Sequence, residues 1–327
     1  MLSPEEFTKG TAAAAEAINS IVLKTPLLKS KWLSKLTSCN VYLKMESEQI
    51  TRSFKLRGAS NKMVKESKKG SKKVICASSG NHGTACLQAA SQLGMYVSVY
   101  CPLSVNQGKA DAILEFENAE LIKYGNDCAV TEAYARKCAA DQNIPYVSPY
   151  NDIDVILGAS TVGQELLQDL PDLDAVFIAV GGGGFASGVC AYLKYLKPSV
   201  VTVGCQPENN CAMYECIKAG HILEDNSFLR DTIAEGVAGG VEVDAITFDY
   251  CKKFVDEWVL SPEEDIEKAV YDLLDKEKKV VEGAAGLPIA ALTQMKNNFK
   301  GKNIALIICG GNINTSKITE LCSKFLS

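Results

Sequence analysis

Short apolar, β-branched runs alternate along this chain with segments whose apolar residues recur at helical spacing. The runs are Lys73–Ser78 (KVICAS), Tyr96–Pro102 (YVSVYCP), Ala119–Gly125 (AELIKYG), Ala175–Gly181 (AVFIAVG), Val200–Cys205 (VVTVGC) and Asn303–Gly310 (NIALIICG). Several are continuously apolar, as strands buried on both faces are. Between them lie helical patterns such as Cys128–Gln142. This alternation predicts parallel sheets in an α/β protein. Ser3-Pro4-Glu5-Glu6 and Ser261-Pro262-Glu263-Glu264 each read as a helix start, with Ser at the N-cap, Pro first and Glu third. The strands fall into two groups, near 73–125 and 175–310, which predicts two domains whose border crosses the chain more than once.

Three of the runs end in turns of small residues: SSGNHGTA from Ser78, GGGGFASG from Gly181 and CGGNIN from Cys309. In open α/β sheets ligands bind beyond the carboxyl ends of strands, so the turns predict one composite site. Gly181, Gly182, Gly183 and Gly184 have no Cβ, so backbone N–H groups can converge there ahead of a helix, as in a phosphate cradle. The alternative is a flexible surface loop, against which the apolar strand before it argues. The loose match Gly181-x-Gly183-x-x-Ala186 to a dinucleotide fingerprint lacks its acid, since the next strand ends in Cys205-Gln206. The turn Ser78-Ser79-Gly80-Asn81-His82-Gly83 offers hydroxyls, an amide and backbone donors that suit a carboxylate.

Lys55 lies in SFKLRGAS, between Phe54 and Leu56. An ammonium with apolar neighbours is either a snorkelling surface lysine or a desolvated one, whose lowered pKa frees the amine as nucleophile or base. A Schiff-base lysine together with a separate phosphate loop is what pyridoxal phosphate requires.

Composition narrows the alternatives. The 327 residues suit one large or two medium domains, and 47% apolar with 22% charged residues is usual for a globular protein. A net charge of −5 gives nucleic-acid binding no support, and the basic stretch Lys65–Lys73 (KESKKGSKK) reads as a solvated loop. The start MLSPEEFTKG lacks the pattern of a signal peptide, and no run reaches the roughly 20 apolar residues of a membrane span. The 13 cysteines have no paired spacing, which predicts free thiols and a cytoplasmic location. Cys205, Cys211 and Cys216, with only two histidines in the chain, match no zinc pattern.

SFKLRGA, SSGNHG, GGGG and CGGN, in this order and at these separations, resemble the fold-type-II pyridoxal-phosphate enzymes, within them the serine/threonine dehydratase and serine racemase branch. The resemblance runs from KTPLLKS (Lys24–Ser30) to CGGNIN. It implies two open, twisted, mostly parallel sheet domains of the tryptophan-synthase-β-like kind: a large one of 1–72 and 152–327 and a small one of 73–151, with the cofactor in the cleft between them. It further implies that Lys55 holds pyridoxal 5'-phosphate as a Schiff base and acts as the base at Cα. Phe54 would pack near the ring, and Asn81 would bond the cofactor's phenolic oxygen. Gly181, Gly182, Gly183 and Gly184 with the Phe185 amide would cradle its phosphate. Gly236 would lie against the ring with Glu282 nearby, and Cys309 would face the pyridine nitrogen. Ser78, Ser79, Asn81 and His82 would hold the substrate carboxylate, with Ser79 also a possible proton donor on the face opposite Lys55.

The implied activity is conversion of L-serine or L-threonine to a 2-oxo acid and ammonia, with serine racemase as the rival. A small-molecule amino-acid substrate and a homodimer are the implied partners. The metal-binding Glu and Asp of animal-type serine racemases read Gln206 and Ala212 here, so no such metal is expected, although Glu208 is close by. Thr84 stands where those racemases have a nucleotide-site Gln. Arg52 replaces a small residue before SFK, and Glu235 replaces an Asp in TIAEGV; either could shift the preference among β-hydroxy amino acids. The chain ends soon after CGGNIN, so no appended regulatory module is expected. A nicotinamide-dependent oxidoreductase, a silent scaffold and a cysteine synthase-like enzyme fit the motifs less well.

Overall fold

A computed structural model describes residues 1–326. The strands are β1 (Leu27–Lys29), β2 (Asn40–Lys44), β3 (Lys73–Ala77), β4 (Tyr96–Cys101), β5 (Ala119–Lys123), β6 (Ala175–Ala179), β7 (Val201–Pro207), β8 (Glu257–Ser261) and β9 (Asn303–Ile307). The helices are α1 (Pro4–Ile18), α2 (Lys31–Thr37), α3 (Lys55–Lys68), α4 (Asn81–Leu93), α5 (Gln107–Leu114), α6 (Cys128–Gln142) and α7 (Ile153–Asp169). They continue with α8 (Gly184–Leu196), α9 (Ala212–Ala219), α10 (Ile246–Phe254), α11 (Glu263–Glu277), α12 (Gly283–Met295) and α13 (Thr315–Phe325).

Two sheets form. One has six strands in the order β1-β2-β9-β6-β7-β8, and the other has three in the order β3-β4-β5. Every pairing is parallel except β1 with β2. All five residues of β6 are buried, as a central strand covered by helices on both faces must be. Its Phe177 packs edge-on against Phe299 with ring centroids 5.4 Å apart. All six expected strands are present. Three others, β1, β2 and β8, flank them in the larger sheet.

The core around the three-stranded sheet extends beyond residues 73–151. Leu56, Ala59, Met63 and Val64 of α3 pack into the cluster that holds Val74, Cys76 and Val97. The expected boundary at residue 73 left this helix outside. Two local expectations also shift. Lys65 and Lys68 sit in the last turn of α3 rather than in a loop, and Lys73 opens β3. Ser3 caps α1 with the expected reciprocal box, but Ser261 closes β8 and Pro262 becomes the N-cap of α11. Glu263, freed from that box, accepts the Ile233 N–H instead at 2.8 Å.

Candidate active site

Each small-residue turn follows the carboxyl end of a parallel strand. β3 leads through 78–80 into α4, β6 through 180–183 into α8, and β9 through 308–314 into α13. The start of α3 is tied to the last of these. Ser53 bridges Gly310, and the Phe54 N–H donates to the Cys309 carbonyl at 3.1 Å. The lysine turn and CGGN therefore meet although the sequence separates them widely.

Lys55 is the first residue of α3. Its Nζ donates to the Pro149 carbonyl at 2.8 Å and lies 5.2 Å from the centre of the Phe54 ring. Burial lowers its pKa to about 8, against the partial opposition of the nearby Cys86, Glu282 and Cys309. A carbonyl and an aromatic face give an ammonium little of what water supplied, so the neutral amine is favoured. Only the neutral amine attacks an aldehyde. The rate at which cofactor-free protein captures pyridoxal phosphate should therefore rise with pH through a midpoint near 8. A midpoint near 10, as for an exposed lysine, would contradict the burial argument.

The glycine loop has the form of an anion cradle. Gly183 has φ +85° and ends the loop as the N-cap of α8, with no side chain capping the helix. The first N–H groups of α8, Phe185 among them, are left without an intrahelical acceptor and point at whatever lies before the helix. The loop is walled closely: a Cβ on Gly182 would come within 2.6 Å of the Tyr150 ring, and one on Gly181 within 2.9 Å of Val237 Cα. Phe54 stacks on Phe185 with centroids 3.9 Å apart, which joins the lysine turn to the start of α8.

The second helix start is similar. Gly80 is the N-cap of α4, again with no side-chain cap, so the N–H groups of the first helical residues, from Asn81 on, have no intrahelical acceptor and can take a carboxylate. Ser78 Oγ accepts the Gly80 N–H at 3.2 Å, which shapes the turn. Ser79 makes no side-chain hydrogen bond among the described residues. The His82 side chain is turned away: it is buried, with Nε2 2.8 Å from the Val147 carbonyl, and burial lowers its pKa so that it stays neutral. Only its backbone N–H remains for a carboxylate.

Asn81 joins both halves of the site. Its Nδ2 donates to both Glu282 oxygens at 3.1 and 2.9 Å, and its Oδ1 accepts from Asn312 Nδ2 at 2.7 Å. The Asn312 N–H also reaches Glu282 at 3.3 Å. Burial raises the pKa of Glu282, and the exposed Glu235 beside Gly236 adds to that rise. Gly236 lies against this carboxylate: a Cβ there would be 3.3 Å from Glu282 Oε1. Cys309 is buried, and desolvation beside Glu282 raises its pKa well above the usual value, which keeps the thiol neutral. Arg52 is exposed at φ +58°. Gln206 has both ends of its amide in use, donating to the Val180 carbonyl at 2.9 Å and accepting the Tyr214 N–H at 2.8 Å.

Three participants escaped the sequence reading. Asn312 was visible in CGGNIN without a role. Pro149 and Tyr150 lie in SPYND, where nothing local marks a carbonyl aimed at a lysine or a ring seated on glycines. Together these residues fit pyridoxal phosphate. A low-pKa lysine would take the aldehyde, the uncapped start of α8 the phosphate, and the neutral Cys309 the ring nitrogen.

The chain was compared with known proteins. A family model described as pyridoxal-phosphate dependent enzyme matches residues 18–310. The L-threonine ammonia-lyase of Thermotoga maritima is 36% identical over 316 residues, 96% of this chain and 77% of that protein. The structure of processed threonine deaminase isoform 2 from Solanum lycopersicum superposes with TM-score 0.90 at 29% identity, covering 98% of this chain and 94% of the other. The serine racemase of Dictyostelium discoideum superposes with TM-score 0.86 at 29% identity, covering 94% and 98%.

Proposed function

Because the chain belongs to the pyridoxal-phosphate dependent enzyme family, we propose that it is an L-serine/L-threonine ammonia-lyase. The reaction gives pyruvate or 2-oxobutanoate and ammonia by β-elimination. One observation carries the reading: a half-buried lysine of lowered pKa near two helix starts left uncapped for anions. The 36% identity to an L-threonine ammonia-lyase across most of both chains supports it.

When bound, the cofactor supplies an electron sink for the carbanion at Cα. The rest is the work of the chain. The start of α8 binds the phosphate and the start of α4 the substrate carboxylate. Lys55 Nζ would hold the cofactor's aldehyde carbon and would act as the base for the substrate's Cα proton. Its lowered pKa suits it to that task near neutral pH. The C–O bond at Cβ breaks, the hydroxyl leaves as water with the proton that was removed from Cα, and the released 2-aminoacrylate (or its methyl homologue) takes up water to give the 2-oxo acid and ammonia. Glu282 holds Asn81 and Asn312 together.

Cys309 governs the choice of outcome. Beside a bound cofactor, a neutral thiol would not supply the negative charge that keeps the ring nitrogen protonated, which would favour elimination over transamination. Cys309→Asp should slow elimination and raise the fraction of turnovers ending in transamination, read as keto-acid-dependent recovery of activity. Unchanged rates and side reactions would contradict this role.

Racemisation is the second reading, and the unpartnered Ser79 hydroxyl at the turn favours it. L-Serine incubated with the holoenzyme, with pyruvate and D-serine both assayed, separates the two. Pyruvate without D-serine supports the lyase; D-serine as the main product overturns it. A reducing cytoplasm suits the 13 free cysteines, and a homodimer is expected of this family.

A further inference from the structure

Two residues past Lys55, Arg57 is 1% exposed and takes no part in the chemistry above. Its guanidinium is fully engaged. Nε and Nη2 form a fork on Glu46 at 2.8 and 2.9 Å, and Nη1 and Nη2 form a second fork on Glu165 at 2.7 and 3.0 Å. Thr161 Oγ1 and the Leu23 carbonyl accept from it at 3.1 and 3.3 Å. Lys44, 0% exposed, donates at 2.5 Å to Glu165 Oε2, the oxygen that also accepts from Arg57 Nη2, and to the Thr25 carbonyl at 2.8 Å. Two cations and two anions thus balance, Arg57, Lys44 and Glu46 buried and Glu165 partly so, joining α3, the end of β2 and the turn after it, α7 and the residues before β1.

Such a network is a poor source of stability, because desolvation cancels most of the attraction. What it offers is geometry. The Ser53–Gly310 bridge, the Phe54 N–H on the Cys309 carbonyl and the Phe54–Phe185 stack hold the residues just before α3, but the first turn itself is weakly capped. Phe54 is the N-cap without a side-chain bond, and the Lys55 N–H finds only Ser53 Oγ, at 3.3 Å. The next N–H, of Leu56, reaches the Ser53 carbonyl at a long 3.5 Å. Beside Arg57 the helix backbone crosses α7 closely, since a Cβ on Gly158 would lie 2.4 Å from the Arg57 carbonyl oxygen. The crossing sets the separation of the two helices, and the double fork sets how far α3 slides and turns on α7.

We propose that Arg57 is a positioning residue for the reaction. Held by Glu46 and Glu165, it fixes the first turn of α3 and so aims Lys55 Nζ into the cleft. The proposal rests on the lysine role assigned above. Loss of the forks lets the first turn shift, and Lys55 leaves its site between the Pro149 carbonyl and the Phe54 ring for a wetter one. The charged and titratable groups facing Lys55 are Cys86, Glu282, Cys309, Glu132 and the neutral His82, none of which contacts Arg57.

Arg57→Lys keeps the charge and loses the forks, and Arg57→Met/Glu46→Gln removes one charge of each sign. Both are examined by circular dichroism, by the pH midpoint of borohydride-trapped pyridoxal phosphate on the Lys55 peptide, and by kcat and KM for L-threonine. Trapping on wild-type Lys55 checks the underlying role independently. The expected result is folded variants whose trapping midpoint rises by about one unit and whose kcat falls up to about 100-fold, with KM changed much less. A folded variant with midpoint and kcat close to wild type overturns the proposal. Failure of both variants to fold overturns it as well, because the network would then be needed for the fold rather than for aiming Lys55.

Discussion

Lys55→Ala should lower kcat for L-threonine by at least about 10⁴-fold, since one amine both holds the cofactor and moves the Cα proton. The fold should survive. Lys55 has one side-chain hydrogen bond, to the Pro149 carbonyl, and losing a single bond of this kind costs about 1 kcal/mol. Burial already disfavours the ammonium, so its removal also relieves a desolvation cost. The measurement is kcat beside a thermal melt. A variant that melts like wild type and keeps more than about 1% of its activity would remove Lys55 from the chemistry.

Gly183→Val should nearly abolish cofactor binding. The position has φ +85°, and a Cβ there would lie 2.8 Å from Met213 Cε, 2.9 Å from Cys251 Sγ and 3.1 Å from Thr247 Cβ. A branched side chain meets both the backbone penalty, about 1–2 kcal/mol, and a wall of buried atoms. The loop must move, and the N–H groups at the start of α8 move with it. Equilibrium dialysis should show affinity for pyridoxal phosphate reduced by about 100-fold or more. Gly220 provides the control, because it has φ +82° with nothing within 4 Å of an added Cβ. Gly220→Ala should lower stability by about 1 kcal/mol and leave cofactor affinity unchanged. Equal losses of affinity in the two variants would show that the glycine loop is not the phosphate cradle.

The buried parallel strands were legible because burial on both faces leaves an unbroken apolar run, as in AVFIAVG and NIALIICG. The strands missed are those whose polar residues have private reasons to be there. β2 carries Lys44, which is buried only because Glu165 meets it from α7, a partner invisible at that separation. β8 begins with Glu257 at the sheet's edge, and Ser261 looked like a cap because Pro and two Glu follow it. The glycine turns announced the ligand-bearing strand ends through local chemistry alone. Contacts across the chain were not legible in the same way. His82 read as a carboxylate ligand, yet its ring finds the Val147 carbonyl. Asn81 read as a cofactor contact, and its amide is shared between Glu282 and Asn312. Arg57 stood in SFKLRGAS without a role, because nothing nearby in sequence discloses Glu46 and Glu165 around it.

The most direct test of the whole account is product analysis with L-threonine. Purified holoenzyme is incubated with L-threonine, and 2-oxobutanoate and ammonia are measured together, with Lys55→Ala as the control. The account predicts the two products in equal amounts, formed by the wild type and absent with the variant. Turnover without a 2-oxo acid, or equal product from Lys55→Ala, would contradict it.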